Sequence, residues 1–222
     1  MNINTLEYWE KRFSSGYWDE VGGRNQTRDF AIRQIALLGI DRNFSGKLLD
    51  FGCGLGDAFP IYKANFPLAK LVGVDFSPAA IEQCKKRYGA FADFYCYDHA
   101  SCPHANIIIT SNVLEHLSDD KSVAQILLAK CRDLYIIVPY REQHLISEHL
   151  RDYDKQAFEY LDPKRVRVFG SAGWSQYGLR RRWWEIHIKN LLRPLFGKTT
   201  VRRRLQILYH CVNSSFLGDG GS

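Results

Sequence analysis

The stretch KLLDFGCGLGD, residues 47–57, constrains the fold more than any other part of the 222-residue chain. A short apolar run ends at Asp50, and Gly52, Gly54 and Gly56 follow at every second position. Glycine permits backbone conformations and close approaches that a side chain prevents. A buried strand that runs into such a turn and then into a helix brings backbone N–H groups against a ligand. The stretch therefore predicts a strand, a turn and a helix around a ligand, with a tight turn that binds nothing as the alternative.

Apolar β-branched runs alternate with helical patterns through the middle of the chain. The predicted strands are Lys47–Phe51, Ala69–Val74, Asp93–Tyr97, Asn106–Thr110 and Leu134–Val138, the last one stopped by Pro139. The predicted connecting helices are Ala58–Phe66, Pro78–Tyr88 and a segment from Ser118 to about Cys131. This alternation is typical of a parallel sheet with helices on both faces. We therefore predict an α/β fold with a Rossmann-like, doubly wound, mostly parallel sheet that binds its ligand at the carboxyl ends of the strands.

The two ends of the chain differ from this core. The predicted division is an N-terminal helical lid (1–45), a core (46–172) and a basic helical C-terminal extension (173–222). In the first part, helices are predicted over Thr5–Tyr17 and Thr27–Leu38 from their apolar spacing. Trp9 and Trp18 are candidate lid residues, and helix packing is the alternative for both.

Positive charge is concentrated near the C-terminus. Between Arg180 and Arg204 there are nine Lys or Arg residues and one acid, Glu185, so this segment carries +8 while the whole chain carries +6. Two basic amphipathic helices are predicted, over RRRWWEIHIKNLLRPLFGK and TTVRRRLQILYHCV. Apolar residues recur there at helical spacing: Trp184, Ile188, Leu191, Leu192 and Leu195. Two interpretations stay open: a surface for an anionic glycan, a phospholipid-linked acceptor or a membrane, and ordinary helices packed on the sheet with a solvated basic face.

The composition is that of a globular protein, with 45% hydrophobic and 24% charged residues. No apolar run in the sequence reaches the ~18–20 residues of a membrane span, and the N-terminus has no signal-peptide core. The six cysteines are scattered without a CxxC pair, which argues against a disulfide framework and against a zinc site of paired ligands. These features predict a cytoplasmic protein with reduced thiols and no bound metal.

Three acids, Asp50, Asp75 and Asp98, lie at the ends of three successive predicted strands. Asp75, about 20 residues past the glycines, is placed to accept both hydroxyls of a ribose, and Asp98 is placed to read an adenine amino edge. Taken singly, each acid has a structural alternative: Asp75 could cap the following helix, and Asp98 could stabilise a loop turn. The GxGxG spacing is one residue short of the GxGxxG of dinucleotide sites, and Asp50 and Asp57 favour a cation over a pyrophosphate. The set therefore favours S-adenosylmethionine (SAM) over a nicotinamide dinucleotide.

Four motifs, in this order and spacing, resemble the class I SAM-dependent methyltransferases: LLDFGCGLGD, VGVDFSP, CYDHA and SNVLEHL. The segment after the fifth strand is similar, more loosely, to that of the small-molecule branch, and the opening EYWEKRFSSGYW is similar to the lid of bacterial enzymes that include ones acting on sugars. The resemblance implies that the turn around Cys53 holds the methionine part of SAM. It also implies that Asp75 holds the ribose and that Asp98 and His99 hold the adenine. The expected cofactor-binding residues are Asp50, Gly52, Cys53, Gly54, Asp75, Phe76, Asp98, His99 and Ser111.

The candidate catalytic residues follow the fourth and fifth strands. Methylation of a hydroxyl or an ammonium needs a base that removes a proton. Glu115 and His116 of SNVLEHL and His149 of EHLRDY are the expected catalytic residues, and His144 is a further candidate. The alternatives are that Glu115 and His116 orient the following helix and that His149 makes a loop hydrogen bond.

The sequence therefore predicts a SAM-dependent methyltransferase that acts on a small-molecule or sugar-containing acceptor, with oxygen as the favoured atom. The alternatives are a non-catalytic SAM- or nucleotide-binding domain and a nicotinamide-dependent oxidoreductase. The expected partner is a small-molecule, glycan or lipid-linked acceptor, with peripheral membrane contact through the basic C-terminal helices. A specific nucleic acid is not expected. The Pro-Cys dipeptide and the D/N-P-P-Y/F/W pattern of DNA-methylating enzymes are both missing from the sequence, and no recognised RNA module accompanies the basic charge.

Overall fold

The computed structural model describes residues 2–142, 145–170, 188, 190–197 and 205–216. Its strands are β1 (Lys47–Phe51), β2 (Lys70–Asp75), β3 (Asp93–Cys96), β4 (Ala105–Ser111), β5 (Cys131–Tyr140), β6 (Arg165–Gly170) and β7 (Leu205–Val212). They form one sheet in the order β3-β2-β1-β4-β5-β7-β6. The first five strands are parallel, and β7 runs antiparallel to both β5 and β6. The predicted α/β fold with a mostly parallel sheet is confirmed.

Helices precede the sheet and connect its parallel strands. They are α1 (Leu6–Ser14), α2 (Tyr17–Glu20), α3 (Gly23–Leu38), α4 (Phe59–Asn65), α5 (Pro78–Tyr88) and α6 (Asp120–Ala129). Tight 3₁₀ turns lie at Leu114–His116, Glu159–Leu161 and Arg193–Phe196, the last one after three helical residues, Asn190–Leu192. The Thr5 side chain accepts the N–H of Tyr8 at the start of α1, and the Ser77 side chain accepts the N–H of Ala80 at the start of α5. Such N-caps each stabilise a helix start by about 1 kcal/mol.

The core lies on both faces of the sheet because successive strand residues point to opposite sides. On one face, Leu49 and Ile108 pack with Leu127 of α6. On the other, Leu48 and Ile107 pack with residues of α3, α4 and α5. The chain leaves β1 toward β2 on one side and has β4 on the other, so strand order reverses at β1 and β4. A crevice at the carboxyl ends of these strands is where a doubly wound sheet binds its ligand.

The C-terminal strand corrects one prediction. The helix predicted over TTVRRRLQILYHCV is wrong for Leu205–Val212, which is β7 and pairs with β5 and β6. Ile207, Leu208 and Tyr209 are all buried, since an inserted strand is covered on both faces. A continuous apolar run of this kind also satisfies helical spacing, which is why the sequence favoured a helix. Most of the other basic segment, with Trp184, lies outside the described residues.

Strand β5 continues through Pro139, which also differs from the prediction. Its pairing with β4 ends at Ile137. Beyond that point β7 is the one described strand beside it, with Pro139 opposite Gln206. Proline is tolerated where one side of a strand has no ladder partner. The extra residues carry β5 into the wall of the crevice.

Two expectations from composition can be compared with the structure. All six cysteines are free thiols, as predicted. Among the described residues, none of the helices combines the length and the apolar character that crossing a membrane requires.

Candidate active site

A cavity of about 1110 Å³ opens at the carboxyl ends of the parallel strands. It exceeds the ~300–1,000 Å³ of a typical small-molecule site, so it has room for two ligands side by side. Residues of α1, of α3 and of the loop after β5 complete its wall. All twelve predicted site residues line it: Asp50, Gly52, Cys53, Gly54, Asp75, Phe76, Asp98, His99, Ser111, Glu115, His116 and His149.

The glycine turn, Gly52–Gly56, has the backbone shape that its sequence predicts. Its three glycines have positive φ angles of 76°, 52° and 73°, a region that L-residues rarely adopt. The N–H groups of Gly52 and Cys53 both donate to the Val74 carbonyl oxygen, at 2.8 and 3.0 Å. These bonds fasten the turn to the end of β2.

The glycines of the turn serve different purposes. A Cβ on Gly52 would lie only 2.4 Å from Cγ2 of Val113, so this glycine is required by packing as well as by its φ angle. Among the described residues, a Cβ on Gly54 would meet only the ring of Phe13, at 3.6 Å. Gly54 is therefore the position at which the turn can admit a ligand close to the backbone.

Two acids are buried at the ends of β1 and β2. Burial raises the pKa of Asp50 to about 7 and the pKa of Asp75 to about 6. Asp75 Oδ2 accepts the Gly54 N–H at 2.9 Å, and its Oδ1 accepts the Ser77 N–H at 3.0 Å. Asp75 therefore orients the entry to α5, as the capping alternative required. Each of its oxygens also keeps a second lone pair, with which it can accept ligand hydroxyls.

Asp57 faces away from the cavity, which corrects its predicted influence on the ligand. Its carboxylate is buried and accepts the Tyr88 hydroxyl at 2.6 Å. It also lies 3.5 Å from Nε of Arg24 and 3.9 Å from Nη1 of Arg87. Two guanidinium groups thus compensate its negative charge. Asp57 therefore gives no reason to disfavour a pyrophosphate in the cavity.

Asp98 and His99 lie at the rim of the cavity after β3. Asp98 is exposed, and its Oδ1 accepts the Ser101 N–H at 2.8 Å. That bond holds the pKa of Asp98 below its usual value. The contact is the loop turn that the sequence left open as an alternative, and contact with an adenine stays a prediction. Phe76, which is 39% exposed, lies at the end of β2 and offers an apolar face to the same cavity.

A polar network that the sequence did not predict joins α3, β4 and β7 at the cavity wall. Gln34 Nε2 donates to Ser111 Oγ at 2.9 Å, and Asn112 Nδ2 donates to the same oxygen at 3.0 Å. Gln206 Nε2 donates to Asn112 Oδ1 at 2.7 Å. Only Ser111 was expected here. Gln34 and Gln206 belong to no motif, and the strand that carries Gln206 had been interpreted as a helix.

The three expected catalytic residues meet in what we call the Glu–His cluster (Glu115, His116 and His149). The first two lie on the turn Leu114–His116, and His149 comes from the loop after β5. The imidazole rings are 5.1 Å apart, and Nε2 of His149 lies 4.0 Å from Oε1 of Glu115. The N–H of Leu150 donates to the Glu115 carbonyl oxygen at 2.8 Å, which holds the loop against the turn.

Burial dominates the electrostatics of this cluster. Glu115 is fully buried, and burial raises its pKa to about 8. Burial lowers the pKa of His116 to about 4. Burial also acts to lower the pKa of His149, but the hydrogen bond with Glu142 and the charge of Glu115 outweigh it and the pKa is raised. The further candidate, His144, lies outside the described residues.

Helix α1 extends over the cavity and is held there by Glu148. The Tyr8 hydroxyl donates to Glu148 Oε1 at 2.5 Å, and Arg12 Nη1 donates to the same oxygen at 2.7 Å. The Arg12 guanidinium lies 5.2–5.7 Å from four aromatic ring centroids. Trp9 packs edge-on against His116 at 5.2 Å. Trp9 therefore both packs against other side chains and lines the cavity, so it combines the two roles that the sequence left open. Glu148 adjoins His149 in the sequence, but no pattern identified it.

The middle of the chain matches a family model. Residues 49–134 match the model described as a methyltransferase domain. No curated protein sequence matches the chain.

Solved structures share the fold at low sequence identity. A chain in the complex between the Haloferax volcanii Trm112 methyltransferase activator and the putative methyltransferase is 13% identical, with a TM-score of 0.63 over 92% of this chain and 96% of that one. The plantazolicin methyltransferase BpumL, in complex with a pentazolic analog and S-adenosylhomocysteine (SAH), is 17% identical, with a TM-score of 0.56 over 94% and 95%. Coclaurine N-methyltransferase, bound to N-methylheliamine and SAH, is 10% identical, with a TM-score of 0.57 over 82% and 72%.

The segment that matches the family model contains eleven of the twelve predicted site residues, all except His149. It contains the glycine turn, both buried strand-end acids and Glu115 of the Glu–His cluster. The solved structures add that the whole described sheet has the architecture of methyltransferases. On the family match and the fold together, the chain is a SAM-dependent methyltransferase.

Proposed function

We propose that this methyltransferase transfers a methyl group from SAM to an oxygen atom of a small-molecule or sugar-containing acceptor. One observation carries the proposal: a single cavity is lined by Asp50 and Asp75 at the ends of β1 and β2 and by the Glu–His cluster after β4 and β5. The first pair suits a cationic nucleoside, and the cluster suits removal of a proton from the group that attacks it.

The glycine turn and the strand-end acids fit SAM by their chemistry. When bound, SAM supplies a methyl group on a positively charged sulfur. We propose that the open backbone at Gly54 receives the methionine part and that the free lone pairs of Asp75 accept the ribose hydroxyls. Asp50 adds negative potential next to the ammonium or the sulfonium. Asp98, His99 and Phe76 are proposed to contact the adenine from the rim.

The Glu–His cluster is proposed to activate the acceptor. The acceptor oxygen forms the new bond to the methyl carbon while the carbon–sulfur bond breaks and leaves its electron pair on sulfur. The acceptor proton must then leave its oxygen, and Nε2 of His149 is available because Nδ1 is engaged by Glu142. The mutual alignment of these groups and the exclusion of water supply most of the rate acceleration.

Oxygen is favoured over nitrogen because of what the cluster offers. A neutral amine can attack a methyl group before it loses a proton, whereas a hydroxyl is a weak nucleophile until its proton is removed. Proton-accepting side chains at the cavity wall are therefore more useful to a hydroxyl. Two of the named neighbours, BpumL and coclaurine N-methyltransferase, are solved with an organic ligand and SAH, which supports a small-molecule acceptor at the level of the fold.

The proposal is tested with labelled SAM and matched acceptor panels. Hydroxyl-bearing acceptors, including sugars, are compared with amines of the same carbon skeleton, and the product is analysed for an O-methyl group. His149→Gln should reduce kcat on the hydroxyl acceptor by roughly 100-fold or more, while SAH affinity stays within about threefold. Transfer only to amines, or an unaffected His149→Gln enzyme, would contradict the assignment to oxygen.

The same samples separate the two alternative functions. A non-catalytic SAM-binding domain would bind SAH and transfer no label to any acceptor. A nicotinamide-dependent oxidoreductase would bind NAD or NADP in preference to SAH. Calorimetric titration with SAH, NAD and NADP therefore precedes the acceptor screen.

For the C-terminal segment we propose contact with an anionic, sugar- or lipid-linked acceptor or with a membrane surface. In its described part, Leu191, Leu195 and Phe196 are 77%, 77% and 73% exposed, and Arg193 lies between them. Exposed apolar side chains next to basic ones are typical of interfacial binding. Sedimentation with anionic and neutral vesicles tests this: Leu195→Ser with Phe196→Ser should reduce binding to the anionic vesicles, and equal binding by wild type and variant would contradict it.

A further inference from the structure

The Glu–His cluster has the composition and spacing of a metal site. Glu115, His116 and His149 each offer one ligand atom, and these three atoms lie within 4.8 Å of one another. Bonds of about 2.0–2.2 Å from one ion to its ligands separate those ligands by at most roughly 4.3 Å. The 4.0 Å between His149 Nε2 and Glu115 Oε1 already satisfies that limit. Small side-chain movements would bring all three within reach of one cation.

Both imidazoles are oriented as metal ligands are. His149 Nδ1 is hydrogen-bonded to Glu142 Oε2 at 2.5 Å, and His116 Nδ1 is hydrogen-bonded to the Glu148 carbonyl oxygen at 3.0 Å. An Nδ1–H that donates to an oxygen fixes the tautomer and leaves the Nε2 lone pair free. Metal-bound histidines almost always carry such a carboxylate or carbonyl partner on the other ring nitrogen.

Glu115 supplies an independent observation. Its side chain is fully buried, yet neither carboxylate oxygen has a hydrogen-bond partner within the described part of the chain. A buried carboxylate without a partner costs free energy unless a charge compensates it. His149 at 4.0 Å is too distant for a hydrogen bond. A cation between the carboxylate and the two Nε2 atoms would compensate it.

The surrounding charge also suits a cation. The Glu142 carboxylate is bonded to His149. Glu148 meets His116 through its backbone carbonyl, but its carboxylate charge, offset by Arg12 at 2.7 Å, still acts on the pKa of both histidines. Two imidazoles and one carboxylate select a divalent first-row transition metal such as Zn²⁺ or Mn²⁺, because Mg²⁺ and Ca²⁺ prefer ligand sets of oxygen alone.

We propose that Glu115, His116 and His149 bind one divalent transition-metal ion, with its remaining coordination positions open to the cavity. Such an ion would bind the acceptor oxygen and lower the pKa of its hydroxyl, so that the proton leaves to water when the acceptor binds. The two Nε2 atoms are then ligands, and proton transfer to His149 applies to the metal-free protein. This catalytic consequence rests on the proposed function, whereas binding of the ion does not.

Titration of the full chain with Co²⁺, after dialysis against a chelator, tests the site without an activity assay. One equivalent should bind and give visible d–d absorption typical of nitrogen and oxygen ligands. Glu115→Gln and His149→Gln should each weaken binding by roughly 100-fold or more, and Glu142→Gln by roughly tenfold through the lost support of the imidazole. Competition with Zn²⁺ should remove the signal, and Mg²⁺ should not.

His104→Ala is the matched control, because this histidine lies apart from the cavity and stacks on Phe216. It should bind Co²⁺ as the wild type does, and circular dichroism should show that every variant is folded. The proposal is overturned if the folded wild type binds no Co²⁺, if the Glu115 and His149 variants bind it equally well, or if thiolate charge-transfer bands show cysteine ligation. Co²⁺ binding without methyl transfer to oxygen would defeat the proposed function and leave the metal site standing.

Discussion

The two halves of the cavity are built in different ways. The half that we propose for the cofactor, here called the cofactor half, is formed by the ends of β1, β2 and β3, where Asp75 bonds to the backbone of Gly54 and Ser77, 21 and 2 residues away in the sequence. The half that we propose for the acceptor, here called the acceptor half, is formed by the Glu–His cluster, the loop after β5 and α1, where Glu148 bonds to the side chains of Tyr8 and Arg12, 140 and 136 residues away. One half thus depends on local backbone geometry and the other on distant side chains.

This difference suggests that cofactor binding and acceptor binding depend on separate sets of residues. A cofactor that is common to many enzymes can be held by a turn and strand ends whose shape a short sequence encodes. Under our proposal the acceptor would contact side chains from separate parts of the chain, which can be exchanged without altering the sheet. Substitutions in the cofactor half should therefore affect stability and SAH binding, and substitutions in the acceptor half should affect turnover.

The largest effect is expected in the glycine turn. Gly52→Ala places a Cβ 2.4 Å from Cγ2 of Val113 at a φ angle of 76°. Backbone strain and overpacking together should lower the free energy of unfolding by about 2–5 kcal/mol. Gly16→Ala is the matched control: its φ angle is 79°, and its Cβ would meet no atom of the described residues within 4 Å. Only backbone strain of about 1–2 kcal/mol therefore applies. The free energies of unfolding of both variants are measured by urea denaturation. Equal losses in the two variants would show that the contact with Val113 is unimportant.

The next effect separates the buried acid from the exposed one. Asp75→Asn should weaken SAH binding by roughly 30-fold or more, since a buried charged partner of the ribose is worth about 2 kcal/mol or more. Asp98→Asn should change it by less than about fivefold, because the Asp98 carboxylate is solvated and already bonded to Ser101. Calorimetry gives both values, and a reversed order would break the assignment of the cofactor half.

A smaller effect is expected at the clamp between α1 and the loop after β5. The Arg12 and Glu148 side chains are only 15% and 14% exposed. A double-mutant cycle with Arg12→Ala and Glu148→Gln should give a coupling energy of about 1–2 kcal/mol in urea unfolding. SAH affinity should change by less than about threefold, because the clamp belongs to the acceptor half. A large loss of SAH affinity would mean that the halves are not separable.

The smallest effect concerns pH. Burial raises the pKa of Asp50 to about 7 and that of Asp75 to about 6, above the unfolded value near 3.9. Between about pH 4 and pH 7 the native protein therefore holds protons that the unfolded chain has lost, so the stability from these groups falls as the pH rises. Affinity for cationic SAM should rise a few fold over the same window, as the carboxylates ionise. Asp50→Asn should flatten both trends, and unchanged trends in that variant would assign them to other groups.

The cofactor half could be predicted closely from the sequence. The bounds of β1 and α5 agree with the structure because an apolar run and a Ser-Pro helix start are local signals. The residues at the strand ends follow from the topology once the alternation of strands and helices is recognised. Asp57 is the exception. The guanidinium groups that compensate its charge outside the cavity come from α3 and α5, which the local sequence does not reveal.

The acceptor half could be predicted only in part. The SNVLEHL pattern identified Glu115 and His116, but Gln34 and Gln206 carry no local signal and meet only after β7 enters the sheet. Strand β7 itself was missed because a strand buried on both faces lacks the alternation that distinguishes strands from helices. The contacts of His149 with Glu142 and Glu115 were not predicted either, because the spacing of residues in the sequence does not show which side chains meet in the fold.

A crystal structure of the protein with SAH would show whether the cavity has a cofactor half and an acceptor half. We expect the ribose hydroxyls to lie within hydrogen-bond distance of the Asp75 carboxylate and the methionine part to follow the glycine turn. We also expect the sulfur to face the Glu–His cluster, with space between them for an acceptor oxygen about 3–3.5 Å from the methyl position. SAH bound with its sulfur directed away from that cluster, or with its ribose held by other residues, would contradict the division of the cavity into a cofactor half and an acceptor half.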